Sequence, residues 1–95
     1  MRSAEVKIDT GYKLTVNDEK LTERMLPTLM KVAGAPNVSL ATKVTGAEDF
    51  SSYQELVPGL FIFIGVTPKG ADVAKAAPNH SPRFFMDEAG LLTGV

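Results

Sequence analysis

The sequence contains no cysteine and only one histidine, His80, in its 95 residues. Without cysteine the chain can form neither a disulfide nor a thiolate metal site, and this composition fits a cytosolic setting. One histidine cannot by itself make a zinc site, because such sites use three or four protein ligands. Metal chemistry therefore cannot rest on His80 alone.

The chain also lacks a long apolar run and a concentration of basic residues. Its densest apolar run, LFIFIGV at residues 60–66, is far too short to span a bilayer. Arg2 is followed by no apolar stretch, so no signal peptide is expected. The ten basic residues are scattered and the net charge is −1, which argues against nucleic acid or membrane as a partner. We therefore expect a cytoplasmic protein with neither partner.

Three segments have the pattern of β-strands. Residues 3–9 and 38–44 alternate between apolar and polar side chains, which predicts half-buried strands. Residues 60–66 are apolar on both faces and predict a strand that is covered on both sides. A helix between the last two strands would make a parallel, right-handed βαβ unit. The predicted fold class is therefore α/β.

Helical spacing and capping residues predict three helices. Asn17 and Asp18 begin the first, and Gly34 with Pro36 ends it. Pro27 lies inside its pattern and predicts either a kink or two short helices. The apolar stripe of this helix consists of Leu21, Met25, Leu29 and Val32.

The other two predicted helices are short. One covers residues 50–57, begins at Asp49 and buries Phe50, Tyr53 and Val57 on one face. The last begins at Asp87, near the C-terminus.

Three features of the sequence indicate that the chain is part of a larger domain. The amphipathic strand at residues 3–9 needs a sheet to join, and the apolar face at residues 91–95 has no C-cap. The second layer that should cover residues 60–66 is hard to find in the remaining sequence. We expect a partial three-layer sandwich, a fragment of a larger catalytic domain.

His80 is the first candidate site residue. Pro78 and Pro82 stiffen the backbone on either side of it, so it is well placed to be a metal ligand or a proton shuttle. The alternative, which residue type alone favours, is a loop histidine that hydrogen-bonds locally.

Glu48 and Asp49 form an acidic pair between a glycine and a predicted helix. In one alternative, both are carboxylates at the ligand-binding edge of a parallel sheet. In the other, Asp49 is only an N-cap and Glu48 is a first-turn acid that complements the helix dipole. The physical argument favours the second alternative. Ser51 and Ser52 have no nearby histidine and no nucleophile-elbow motif, so serine catalysis is not expected.

Several motifs in this order resemble the C-terminal portion of a metal-dependent amidohydrolase family. They are TVND, GAEDFSSY, VPGLFIFIG and NHSPRFFMDEAGL. The family includes hippurate hydrolase, N-acyl-amino-acid amidohydrolases and indole-acetyl-amino-acid hydrolases, which are related to aminoacylases and carboxypeptidases. The resemblance extends over nearly the whole chain.

The resemblance implies a zinc-peptidase-like catalytic domain with two zinc or manganese ions and a lid domain. Residues 1–12 are then the last strand of the lid, and residues 13–95 the returning part of the catalytic domain. His80 matches the last metal ligand of the family's His-Ser-Pro motif. Glu48 and Asp49 match a loop that lines the active site, and are carried over as substrate-binding residues.

The family's other metal ligands and its general base have no counterpart in this sequence, so no catalytic residue is assigned. We expect a fragment of an enzyme that cleaves the amide bond of N-acyl amino acids or small peptides. The fragment contributes one metal ligand and is inactive alone. The alternative is a stand-alone α/β domain that acts through a homo-oligomer or a partner.

Overall fold

The structure, a computed structural model, describes residues 3–9 and 11–95. Met1, Arg2 and Thr10 lie outside the described residues. The structure therefore does not describe in full the region around Arg2, where no signal peptide was expected, and it describes only part of the predicted lid segment at residues 1–12. Three α-helices follow in chain order: α1 (Glu19–Ala33), α2 (Phe50–Gln54) and α3 (Leu91–Gly94). Single 3₁₀ turns lie at Ala35–Asn37, Val73–Lys75 and Glu88–Gly90.

The predicted α/β fold class is wrong for the part of the chain that is described. Residues 3–9 and 11–95 contain no β-strand, so neither the βαβ unit nor the partial sandwich is present. A strand completes its backbone hydrogen bonds only with a neighbouring strand, whereas a helix completes them within itself. The alternating segments find no such neighbour, and Ile8 and Leu40 are 87% and 100% exposed.

Helix α1 begins and ends where the sequence predicts. The Asp18 side chain accepts a hydrogen bond from the Leu21 N–H at 2.8 Å, and its carbonyl accepts one from the Thr22 N–H at 2.9 Å. The helix ends at Gly34, whose φ of 84° is easily reached only without a Cβ. These two residues fix the boundaries of α1 locally.

Of the two alternatives predicted at Pro27, the pair of short helices is wrong, because α1 continues through it as one helix. The kink stays a prediction. A proline has no N–H to donate to the carbonyl four residues earlier, which here belongs to Glu23. Both Pro27 and Glu23 are exposed, so water can satisfy this carbonyl. The helix therefore tolerates the proline at a cost in stability.

Helix α2 is shorter and less buried than predicted. It ends at Gln54, and Tyr53 and Val57 are 64% and 58% exposed. Only Phe50 of the predicted apolar face is half-buried, with its ring centroid 5.6 Å from that of Phe61.

The chain divides into two compact units. The first consists of Met1–Pro27 with Leu40–Phe61, and the second of Thr28–Ser39 with Ile62–Val95. In the first unit, polar contacts join the segment before α1 to the last residue of α2 and to the segment that follows it. The Asp18 N–H donates to the Gly59 carbonyl at 3.0 Å, and the Val16 N–H donates to the Gln54 side chain at 3.0 Å.

In the second unit, the predicted cap at Asp87 is confirmed. Its side chain accepts a hydrogen bond from the Ala89 N–H at 2.9 Å, and the turn at Glu88–Gly90 leads directly into α3. The Asp87 N–H donates to the Val66 carbonyl at 2.8 Å, which fixes this turn against the apolar run.

The described residues form no hydrophobic core. None of their hydrophobic side chains is buried, and the one buried polar residue is Ser51 at 1% exposure. No helix within residues 3–9 and 11–95 combines the length and apolarity that a membrane span needs.

Candidate functional site

His80 lies at the third position of a tight turn in the second unit. The Ser81 N–H donates to the Pro78 carbonyl at 3.1 Å, which closes a four-residue turn around Asn79 and His80. The φ of His80 is +72°, the value that a type II turn requires at this position and that glycine normally supplies. A histidine is therefore held in a left-handed conformation that costs it free energy.

Three further hydrogen bonds hold the backbone around this turn. The His80 N–H donates to the Asn79 side chain at 3.0 Å. The Ser81 hydroxyl accepts the Arg83 N–H at 3.2 Å, and the Ser81 carbonyl accepts the Phe84 N–H at 2.9 Å. The loop thus has a defined conformation without belonging to a helix.

The imidazole of His80 is presented to solvent. His80 is exposed, and within residues 3–9 and 11–95 its ring forms no hydrogen bond or ion pair. Its single local bond uses the backbone N–H, so the structure does not show the local imidazole hydrogen bond that residue type alone favoured. Both ring nitrogens are accessible to a ligand.

Glu48 and Asp49 lie in the first unit. Asp49 occupies the predicted N-cap position of α2, but Glu48 supplies the side-chain hydrogen bond there. The Asp49 side chain makes no capping hydrogen bond and is exposed. The Glu48 side chain instead accepts the Phe50 N–H at 3.1 Å, and its carbonyl accepts the hydroxyl of the buried Ser51 at 2.8 Å. Asp49 is therefore the carboxylate of this pair that remains available to a ligand.

The described residues do not provide a complete metal site. No group of three or more His, Cys, Asp or Glu side chains in the described ranges could hold a metal ion. Since a zinc ion takes three or four protein ligands, His80 can supply one ligand at most. The donor set present here fits a contribution to a metal site and not the site itself.

A groove in the second unit was not predicted from the sequence. We call it the Arg83 groove: two adjacent cavities of about 330 and 400 Å³ that share Lys75, Ala76, Ala77 and Arg83. The first cavity is completed by Thr67, Pro68, Ala71, Asp72 and Phe85. The second is completed by Pro78 and Ser81, which close the His80 turn. The two basic residues on either side of NHSP are the sequence signal that could have indicated it.

Comparison with known proteins shows clear relatives. Over 84 residues, 88% of this chain, the sequence is 31% identical to IAA-amino acid hydrolase ILR1-like 6 of Arabidopsis thaliana. It is 38% identical to ILR1-like 4 of the same plant over 85% of the chain, and 32% identical to thermostable carboxypeptidase 2 of Saccharolobus solfataricus over 98%. The predicted family resemblance is confirmed. In sequence, the chain is a relative of these amidohydrolases and carboxypeptidases.

The hydrolase-related chain is much shorter than these relatives. It spans 18% of each plant hydrolase and 23% of the carboxypeptidase, about a fifth of their length. No family model matches the sequence, and no solved structure matches it. The similarity therefore extends over most of this chain but over only about a fifth of each relative.

Proposed function

We propose that this chain is part of a metal-dependent amidohydrolase or peptidase and contributes His80 as one of its metal ligands. The intact enzyme hydrolyses the amide bond of N-acyl amino acids or small peptides. The proposal is supported by the relatives, which are named as hydrolases of this kind. Their names do not state a metal, so the metal rests on the motif around His80.

The observation that carries the proposal is the conformation of His80. A left-handed backbone is unusual for a non-glycine residue, and such conformations cluster at functional sites where surrounding structure maintains them. Here the flanking hydrogen bonds hold the backbone while the ring stays unengaged in the described part of the chain. This arrangement suits a ligand that is oriented before the metal arrives.

The chain alone is proposed to be inactive. A divalent ion, zinc or manganese in this class of enzyme, would supply the activation of water, and two such ions are expected in the intact enzyme. The described residues lack the donor set for even one complete site. The remaining ligands must come from polypeptide other than these residues.

Asp49 is proposed to face substrate, with Glu48 shaping the loop beneath it. Glu48 is engaged with the Phe50 N–H, while the Asp49 carboxylate has no capping bond. Substrate binding by this pair, a cytoplasmic setting and assembly into a homo-oligomer remain predictions.

Nuclear magnetic resonance of the 95-residue chain tests the role of His80 sharply, because a single histidine gives one set of imidazole signals. Zinc should shift these signals and manganese should broaden them. His80→Ala and His80→Asn both lack this imidazole, so the zinc-induced shifts of the neighbouring Asn79 and Ser81 backbone amides should disappear in both variants. Asparagine is the matched control, because it tolerates the turn. Zinc that perturbs carboxylate residues and leaves the His80 ring unchanged would contradict the proposal.

The expected inactivity needs a separate assay. The chain with added zinc or manganese is incubated with hippurate, and released glycine is measured. No release above that of His80→Ala is expected. Release that depends on His80 would show that the chain, alone or as an oligomer, assembles a working site.

A stand-alone binding domain is the second candidate, and the exposed surface favours it. The chain exposes 9149 Å², whereas a folded monomer of its mass is expected to expose about 5300 Å². Large apolar side chains of the described residues are exposed, for example Val44 at 70% and Leu92 at 85%. Sedimentation velocity distinguishes the candidates. A stable, stoichiometric oligomer favours the binding domain, and a heterogeneous aggregate favours the enzyme fragment. A clean monomer at high concentration would count against the fragment, because its apolar surfaces would then be covered.

A further inference from the structure

We propose that the Arg83 groove binds a small carboxylate that carries an apolar group. The identity of the natural ligand rests on the proposed function. In the intact enzyme, the groove would bind the carboxylate of the substrate or of a product. All the residues that line the groove belong to the second unit.

The charge of Lys75 is already compensated within the groove. Its Nζ lies 3.4 Å from the Asp72 carboxylate. The other oxygen of Asp72 accepts the Ala74 N–H at 3.0 Å, so this side chain is held in place from both sides. The pair is exposed and contributes little net charge to a ligand.

The guanidinium of Arg83 has no such compensation. In the described part of the chain Arg83 takes part in no ion pair, and only its backbone N–H is engaged, with Ser81. With Asp72 offsetting Lys75, the charged residues that line the groove leave one positive charge, on Arg83. A guanidinium presents a planar fork of N–H donors that matches a carboxylate with two parallel hydrogen bonds.

The rest of the wall of the first cavity is mostly apolar, with Thr67 as its remaining polar residue. Pro68, Ala71 and Ala76 lie along one cavity together with the ring of Phe85. Its volume of about 330 Å³ is at the lower end of the usual range for small-molecule sites, which are mostly apolar with a few polar groups that fix orientation. One cation in such a wall selects a ligand with an anionic end and an apolar body.

The groove also has a defined relation to His80 along the loop. The second cavity is lined by Pro78 and Ser81, the two residues whose hydrogen bond closes the His80 turn, and it shares Arg83 with the first. A carboxylate held by Arg83 would thus be anchored on the loop that presents the imidazole.

Phenylacetate is the probe that tests the proposal, with phenylacetamide as its neutral counterpart. Each is titrated into the 95-residue chain without metal, and backbone amide shifts are followed by nuclear magnetic resonance. Phenylacetate should shift the amides of residues 71–77 and 83–85 and should bind at least tenfold more tightly than phenylacetamide. Equal affinity for the two compounds would overturn the proposal, because the carboxylate would then not be recognised.

Arg83→Gln should weaken phenylacetate binding at least tenfold, and Arg83→Lys should restore only part of it, because lysine lacks the fork. Lys69→Gln is the matched control: it removes one positive charge from the same loop at a residue that does not line the groove. Unchanged binding by Arg83→Gln, or an equal loss in Lys69→Gln, would overturn the proposal. Inorganic phosphate that displaces phenylacetate at equal concentration would also overturn it, since the groove would then bind anions without regard to the apolar group.

These results are independent of the metal experiment. If phenylacetate does not bind but zinc still perturbs the His80 ring, the groove proposal fails and the proposed function stands. If phenylacetate binds as described but zinc leaves His80 unchanged, the groove is a carboxylate site and the metal role is lost.

Discussion

The side-chain amide of Asn17 pairs with the backbone of Phe61 through two hydrogen bonds. Its Nδ2 donates to the Phe61 carbonyl at 2.9 Å, and its Oδ1 accepts the Phe61 N–H at 2.7 Å. In a sheet, a neighbouring strand would bond both the N–H and the carbonyl of such a residue. Here the Asn17 amide bonds both backbone groups of Phe61 in its place. In a unit without a hydrophobic core, this contact between segments 44 residues apart in sequence is a main source of order.

Asn17→Ala should destabilise the first unit by about 1 kcal/mol, since Asn17 is exposed and water can replace part of what is lost. Hydrogen exchange measures this directly: the Phe61 amide should exchange faster, while the Asp87 amide in the second unit should not change. Asn17→Asp keeps the acceptor and loses the donor. The exchange rate of its Phe61 amide should therefore lie between the rates of the wild type and of Asn17→Ala. An unchanged Phe61 exchange rate in Asn17→Ala would contradict the role of the amide.

Asp18→Ala should shorten α1 from its N-terminus. The Leu21 N–H loses its capping partner, and such losses cost about 1 kcal/mol. Circular dichroism should show less helix, and urea unfolding should show lower stability. Asp18→Asn is the control, because asparagine caps as well as aspartate; equal losses in the two variants would point to the charge rather than the cap.

Pro27→Ala should stabilise α1 by up to about 3 kcal/mol, because alanine supplies an N–H to the Glu23 carbonyl and removes the ring clash. Helix content and the urea midpoint should both rise. Pro36→Ala, in the turn that follows α1, should raise neither. A fall in helix content in Pro27→Ala would show that the proline is needed in this helix.

His80→Gly should stabilise the loop by about 1 kcal/mol, since glycine adopts a φ of +72° without a Cβ penalty. It should also abolish the response to zinc. His80→Ala should lose the zinc response without gaining stability, because alanine retains the penalty. Equal stability of the glycine and alanine variants, measured by urea unfolding, would show that the backbone of His80 is not strained.

The candidate site was only partly predictable. The motif around His80 identifies the residue, and the relatives confirm the resemblance on which this rests. The positive φ of His80 was not predicted, because it depends on the turn between Pro78 and Ser81. The hydrogen bond from the Phe50 N–H to the Glu48 side chain was also not predicted. Both acids fit a helix start, and only the backbone conformation decides which side chain reaches this N–H.

The sequence by itself determined the features that depend on neighbours a few residues away. Asp18, Gly34 and Asp87 set helix ends, because caps are satisfied within one turn of the chain. The tertiary structure alone decided whether the alternating segments became strands. An apolar alternation becomes a strand only when another segment supplies its hydrogen bonds and covers its face, and within residues 3–9 and 11–95 no segment does so.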